Sequence, residues 1–302
     1  MRKPAALIVG DLSLDAHASV PIASESLARL AGGADVSAQG DIAVCPGGTS
    51  WLFAEALASS TAVLPLIVAT VGGDWQGSRL SDSLIERGFP AQGLVTVPGD
   101  RTDVVTTVSF NGSARFMAWP QHKACRKARA WDWPRVAQLI ASYDIRFAWI
   151  SGYLFDDSDA SVLEDMRTLS DNLRGLHIPL VVDLVPHDFS SRIGSLERLE
   201  IATGPIDVLV GELSTMADLG FGQRPAPGED ARRHLIECAR SAAAGRIAAV
   251  AQHRISGDLY ASAVASEAAG ECVIDKLIPA DGPRGLGDYL AVQALRQLGM
   301  AD

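Results

Sequence analysis

One feature limits the fold of this chain more than any other: short apolar runs alternate with longer amphipathic ones along most of its length. The runs ALIVG, AVLPLIVATV, RFAWISG, PLVVDLV, DVLVG and RIAAVAQ are short and largely uncharged. Between them, SWLFAEALASS, GSRLSDSLIERG, SVLEDMRTLSDNLRGL and ARRHLIECARSAA carry apolar residues at i, i+3, i+4 and i+7, the spacing of one helix face. A strand reads as near-continuously apolar when helices cover both of its faces and neither meets water. The alternation therefore predicts strand–helix–strand units around a mostly parallel sheet, an α/β fold with three αβα layers.

Two segments break this rhythm. Residues from about His17 to Cys45 and from about Thr102 to Pro120 read as strands without intervening helices, and TTVSFNGSARFMAW places Asn111-Gly112 between alternating residues, a hairpin signal. Together they predict a small β-lid over the C-terminal edge of the main sheet, where open α/β sheets bind ligands. The sequence has no internal repeat and no low-complexity linker, so residues 1–302 are read as one domain, with FGQRPAPGED as a surface loop.

Composition excludes several classes of function. With 48% of its 302 residues hydrophobic, the chain can bury a sizeable core. Its net charge of −10 and pI near 5.1 argue against nucleic acid or an anionic membrane as partner, because counterion release needs clustered Lys and Arg. The one basic cluster, QHKACRKARA, reads as a solvated face. No apolar run approaches the roughly 18 to 20 residues of a membrane span, so a soluble, cytoplasmic protein is expected. Cys45, Cys125, Cys238 and Cys272 lack CxxC spacing, which predicts reduced, mostly buried thiols and no metal ligands among them. Trp75, Trp131 and Trp133 read as packing residues.

Chemistry concentrates in four glycine-containing stretches. In GPRGLGDYL, Gly285 and Gly287 let successive N–H groups converge at the start of an apolar helix, which forms an anion hole with Leu286. Asp288 then reads either as a helix cap or as a general base beside that hole. In IVGDLSLDAH a strand ends at Gly10 and Asp15 follows, as a turn residue or as an acceptor for vicinal hydroxyls. In CPGGTSWLFAEAL, Gly47 and Gly48 precede a helix that either meets a ligand or is capped by Thr49 or Ser50. In VGGDWQGSRLSDSLIERGF, Asp74 is placed to cap the next helix.

These four segments, in this order, resemble the ribokinase-like (PfkB) sugar and nucleoside kinases over essentially the whole chain. The resemblance implies that Asp15, Gly47 and Gly48 contact an acceptor's hydroxyls under a β-lid. It also implies that Gly285, Leu286 and Gly287 form the anion hole and that Asp288 deprotonates the hydroxyl attacking the γ-phosphate of ATP, with Mg²⁺ bridging the phosphates. The partner would be a small sugar or nucleoside; a homodimer joined through the lid is compatible with the sequence, which does not decide it.

The chain also departs from the pattern. Asp281 stands four residues before Gly285, with Gly282-Pro283-Arg284 between them, and Arg284 reads either as a source of phosphate charge or as a surface side chain. Gly211 and Ser214 occupy the usual Asn-x-x-Glu positions, with Glu212 nearby, and Leu52 replaces an acceptor-binding Asn. Only about four helical turns follow Gly287. The nucleotide loop reads AQHRISG, so His253 and Arg254 are candidates for a triphosphate or, alternatively, a solvated strand end. The reading that follows is a kinase acting on a hydroxyl; the alternatives are a kinase-fold binder without turnover, or another reaction using the same anion hole.

Overall fold

The computed structural model describes residues 2–21, 23–35, 37, 39–110, 114–118, 128–155, 160–185, 195–226, 229–256, 259–278 and 284–302. Its main sheet comprises β1 (Lys3–Val9), β4 (Leu64–Gly72), β5 (Leu94–Val97), β8 (Tyr143–Ser151), β9 (Leu180–Asp183), β10 (Val208–Glu212), β11 (Ala248–Arg254), β12 (Leu259–Ser266) and β13 (Gly270–Leu277), in the order β13-β12-β11-β10-β9-β8-β1-β4-β5. From β11 to β5 all neighbours are parallel, whereas β12 and β13 add an antiparallel hairpin at one edge. That hairpin was missed, because ASAVAS is small-residue rich and ECVIDKL carries three charges in seven residues, unlike the largely apolar parallel runs.

Both faces of the sheet are buried, as the apolar runs require. Along β1, Ala6 and Ile8 point into one core, which is filled from α2 (Thr49–Ser60), α3 (Trp75–Glu86) and the last helix, Leu286–Gln297. Leu7 and Val9 point into the other, against α4 (Trp133–Ile140), α5 (Ala160–Gly175), α6 (Leu196–Thr203) and α8 (Ala231–Ala243). A short α7 (Leu213–Asp218) follows β10, and the last helix is α9. The result is three layers. Phe53 of α2 stacks on Trp149 of β8 with centroids 4.7 Å apart, fixing that helix over the sheet centre.

A second sheet of four strands, in the order β3-β2-β6-β7, is formed by β2 (Ser13–Val20), β3 (Asp41–Gly47), β6 (Asp103–Phe110) and β7 (Ala114–Ala118). It contains the two segments expected to form a lid. Phe110 pairs with Ala114, so the expected hairpin is formed, while its Asn111-Gly112 turn lies outside the described residues. The segment from His17 to Cys45 is corrected: it contains a helix, α1 (Ser24–Ala31), between its strands. SESLARLA has Glu25 in its first turn and Arg29 in its last, both favourable to the helix dipole, and this short pattern was overlooked between two strand-like runs.

Three smaller expectations meet mixed outcomes. Trp131 is buried, but Trp75 is 67% exposed at the start of α3. Cys238 is buried and Cys45 half-buried, yet Cys272 on the edge strand β13 is exposed, and Cys125 lies outside the described residues. Among the described residues, no helix is long and apolar enough to cross a membrane.

Candidate active site

The C-terminal ends of the parallel strands gather the polar residues. Just past β1, Asp11 is buried, and its carboxylate accepts the Thr49 N–H at 3.0 Å and the Ser151 hydroxyl at 3.0 Å. The Thr49 hydroxyl lies within hydrogen-bond reach of both the Asp11 carboxylate and Ser151 Oγ, the latter at 2.8 Å. The start of α2 is thus capped from another strand rather than by Thr49 or Ser50. Gly48 is the N-cap residue, with φ at +85°, and a Cβ there would stand 2.6 Å from the Asp11 carbonyl. The one available sequence signal for Asp11 was its place directly after the strand-ending Gly10.

Asp15 sits on β2, opposite Cys45, and is buried. The Ser13 hydroxyl donates to it at 2.7 Å, His17 Nε2 is 3.7 Å away, and Arg284 Nε is 3.9 Å away. Arg284 also donates to the Pro46 carbonyl on β3. Its guanidinium therefore lies against the base of the second sheet. A Cβ on Gly47 would fall 2.0 Å from the Asp15 carboxyl carbon, so with the carboxylate in its present place only glycine fits at 47. Burial pushes the Cys45 thiol up, and the nearby Arg284 charge opposes this.

The helix α9 opens at Gly285, in the left-handed region at φ +65°, and the Leu52 side chain lies 3.4 Å from where a Cβ on it would stand. Tyr289 N–H is bonded back to the Gly285 carbonyl at 2.9 Å. By helix geometry the N–H groups of Leu286, Gly287 and Asp288 precede the first full turn and are presented at the positive end. Asp288 is not the N-cap; it stands in the first turn, half-buried. Burial, followed by the charges of Asp183 and Asp11, holds its carboxyl well above the usual carboxylate range, against the opposing pull of its own N–H and of Arg284.

Asp183 ends β9 and accepts the Val185 N–H at 2.9 Å. Burial and the charges of Glu212 and Asp11 push it up to about 7. Glu212 ends β10 and accepts the Tyr260 hydroxyl at 2.8 Å. On neighbouring β11, Gln252 is buried and its amide donates to the Gly287 carbonyl at 2.8 Å. His253 is held below its ordinary value by burial, with Glu212 opposing, and Arg254 Nε donates to the Ser256 carbonyl at 3.2 Å. Gly211 lies in β10 and Ser214 in α7, while Asp281 is outside the described residues.

The structure thus brings Asp15, Gly47, Gly48 and Arg284 together on one side, and links Gly285–Asp288 to Asp183 and Asp11 on the other. Sequence reasoning missed Asp11, Asp183 and Gln252. Each lies in or just beyond an apolar run, where a single polar residue reads as the end of a strand.

No family model and no curated protein matches the sequence. Solved structures do match. The 2-dehydro-3-deoxygluconokinase of Thermotoga maritima is 13% identical at a TM-score of 0.72, covering 99% of this chain and 88% of its own. The nucleoside kinase of Burkholderia thailandensis, solved with inosine, is 14% identical at 0.61, covering 98% and 85%. A provisionally assigned ribokinase II of E. coli, solved with ATP and Mg²⁺, is 16% identical at 0.65, covering 98% and 87%. Covered nearly end to end by such structures, the chain has the fold of the ribokinase-like carbohydrate kinases.

Proposed function

We propose that the protein is a phosphotransferase that moves the γ-phosphoryl group of ATP to a hydroxyl of a sugar, nucleoside or related polyol. The observation that carries this reading is Asp288: a carboxylate with raised proton affinity, in the first turn of a helix whose free N–H groups favour an anion. A general base works best when its proton affinity approaches neutrality, which an ordinary exposed carboxylate does not reach. Asp288 takes the proton of the acceptor hydroxyl, and the N–H groups of Gly285, Leu286 and Gly287, with that of Asp288 next to them in the first turn, hold charge on the group being transferred. Asp15 and the backbone at Gly47 and Gly48 orient the acceptor beneath the second sheet acting as a lid. His253 and Arg254, at the end of β11, face the donor.

Arg284 stands between these two sets of residues. Its position against Asp15 and Pro46 supports a role at the acceptor side as much as at the phosphates.

Mg²⁺ fits the donors present. Asp183 and Glu212 are hard oxygen groups; burial first, and the charge of Glu212 after it, raise the proton affinity of Asp183, and a divalent cation offsets both the buried charge and the repulsion. When bound, it supplies positive charge that neutralises the phosphates.

The test is acceptor-dependent ADP release by purified protein with Mg-ATP, screened over pentoses, hexoses, nucleosides and aminosugars, with Asp288→Asn alongside. Turnover stimulated by one acceptor and abolished in the variant supports the reading. Ligand binding without turnover shows instead a kinase-fold binder or an enzyme of another reaction.

A further inference from the structure

The nucleotide-side departure in AQHRISG has a counterpart in the fold: Gln252 bonds directly to the helix that carries the anion hole. We propose that Gln252 is a positioning residue for that hole, setting and polarising the peptide between Gly287 and Asp288; this rests on the anion-hole reading above. Gln252 Nε2 is 2.8 Å from the Gly287 carbonyl, and Gln252 is only 5% exposed. A buried side-chain amide that donates to a carbonyl leaves the N–H of the same peptide a stronger donor, because hydrogen bonds in series polarise one another. The N–H of that peptide belongs to Asp288, in the first turn of α9.

The contact also fixes shape. Gln252 Oε1 would lie 3.0 Å from any Cβ placed on Gly287, so the glutamine occupies the space that a side chain would need. Gln252 is itself held in the ladder by pairing with Glu212 on β10 and Ser262 on β12. The rigid main sheet thereby sets the orientation of a helix N-terminus that otherwise packs on α2 through Leu52. No part of this arrangement needs nucleotide to be present.

The experiment uses the full chain and inorganic phosphate as the probe, followed by the amide signals of Leu286, Gly287 and Asp288 in ¹H–¹⁵N NMR. Gln252→Met keeps the length and apolar packing but cannot donate; Gln252→Leu cannot donate either, and both leave the charge of the site unchanged. The expected result is that phosphate shifts these amides in the wild type and binds both variants roughly two- to tenfold more weakly, measured at a temperature where all three proteins are folded. Should the Met variant fail to fold, the Leu variant carries the test. Equal phosphate affinity in wild type and variants overturns the role of Gln252 while leaving the anion hole intact. No response of the wild-type amides overturns the anion hole, and this inference with it.

Discussion

At the scale of single residues, burial and then the charge of neighbouring carboxylates raise the proton affinity of Asp288 and Asp183. If Asp288 is the base, Asp288→Asn should lower turnover by about 10²- to 10⁴-fold with little change in the acceptor's KM; a loss below tenfold removes Asp288 from that role. Because the base must be ionised, activity should rise with pH through its elevated value, and Asp288→Asn should remove that limb from the profile. Asp183 also links pH to stability. It holds its proton more tightly folded than unfolded, so its contribution is complete below about pH 4 and is lost as pH rises through about 7. In metal-free buffer, Asp183→Asn keeps the acceptor for Val185 N–H yet carries no charge. It should therefore melt a few degrees above wild type at pH 8, and the gap should close as pH falls toward about 4; a gap that persists in acid would show packing, not ionisation, as the cause. The sequence exposed Asp288 and Asp15 through their glycine neighbours. It did not expose Asp183, whose importance comes from groups distant in the chain.

At the scale of elements, the N-terminus of α2 is held from outside the helix. Asp11 replaces the local cap expected at Thr49 or Ser50, and Asp11→Ala should cost about 1–2 kcal/mol, read as a lower urea midpoint at unchanged slope. By contrast, Asp74 caps α3 as the sequence indicated, accepting the Gly77 N–H at 2.9 Å and Thr102 N–H at 2.9 Å. The difference is instructive: a cap three residues from its target can be read locally, whereas one supplied by a neighbouring strand cannot. Helix α1 shows the same limit in another form, since eight residues of helical pattern between two strands carry too little signal to separate from a long loop. The long helices α2, α5 and α8 had several turns of consistent periodicity, and the sequence placed them within a residue or two.

At the scale of the whole molecule, the parallel sheet was legible because burial on both faces leaves no polar alternation to confuse it with a solvent-facing strand. The hairpin β12–β13 was not, because β13 is the exposed edge strand and β12, though buried, is built largely from small residues with little apolar signal. Burial also predicts where the structure opens first. Strands β1, β4, β8, β9 and β10 should show the slowest amide exchange, while β3, whose residues Asp41–Val44 are exposed, should exchange early. Hydrogen-exchange mass spectrometry checks this, and equal protection of the two sheets would contradict it. The contact between Gly47 and Asp15 has a further consequence, for the way such a chain changes over generations. Every missense change of a glycine codon adds a side chain, and at 47 even a methyl group collides with the carboxylate beside it. Any side chain at 47 must therefore displace the Asp15 carboxylate, whether or not the protein turns anything over. Asp288 caps no helix and is exempt from that constraint, so in a lineage that had abandoned catalysis it would be among the first of the site's residues to go.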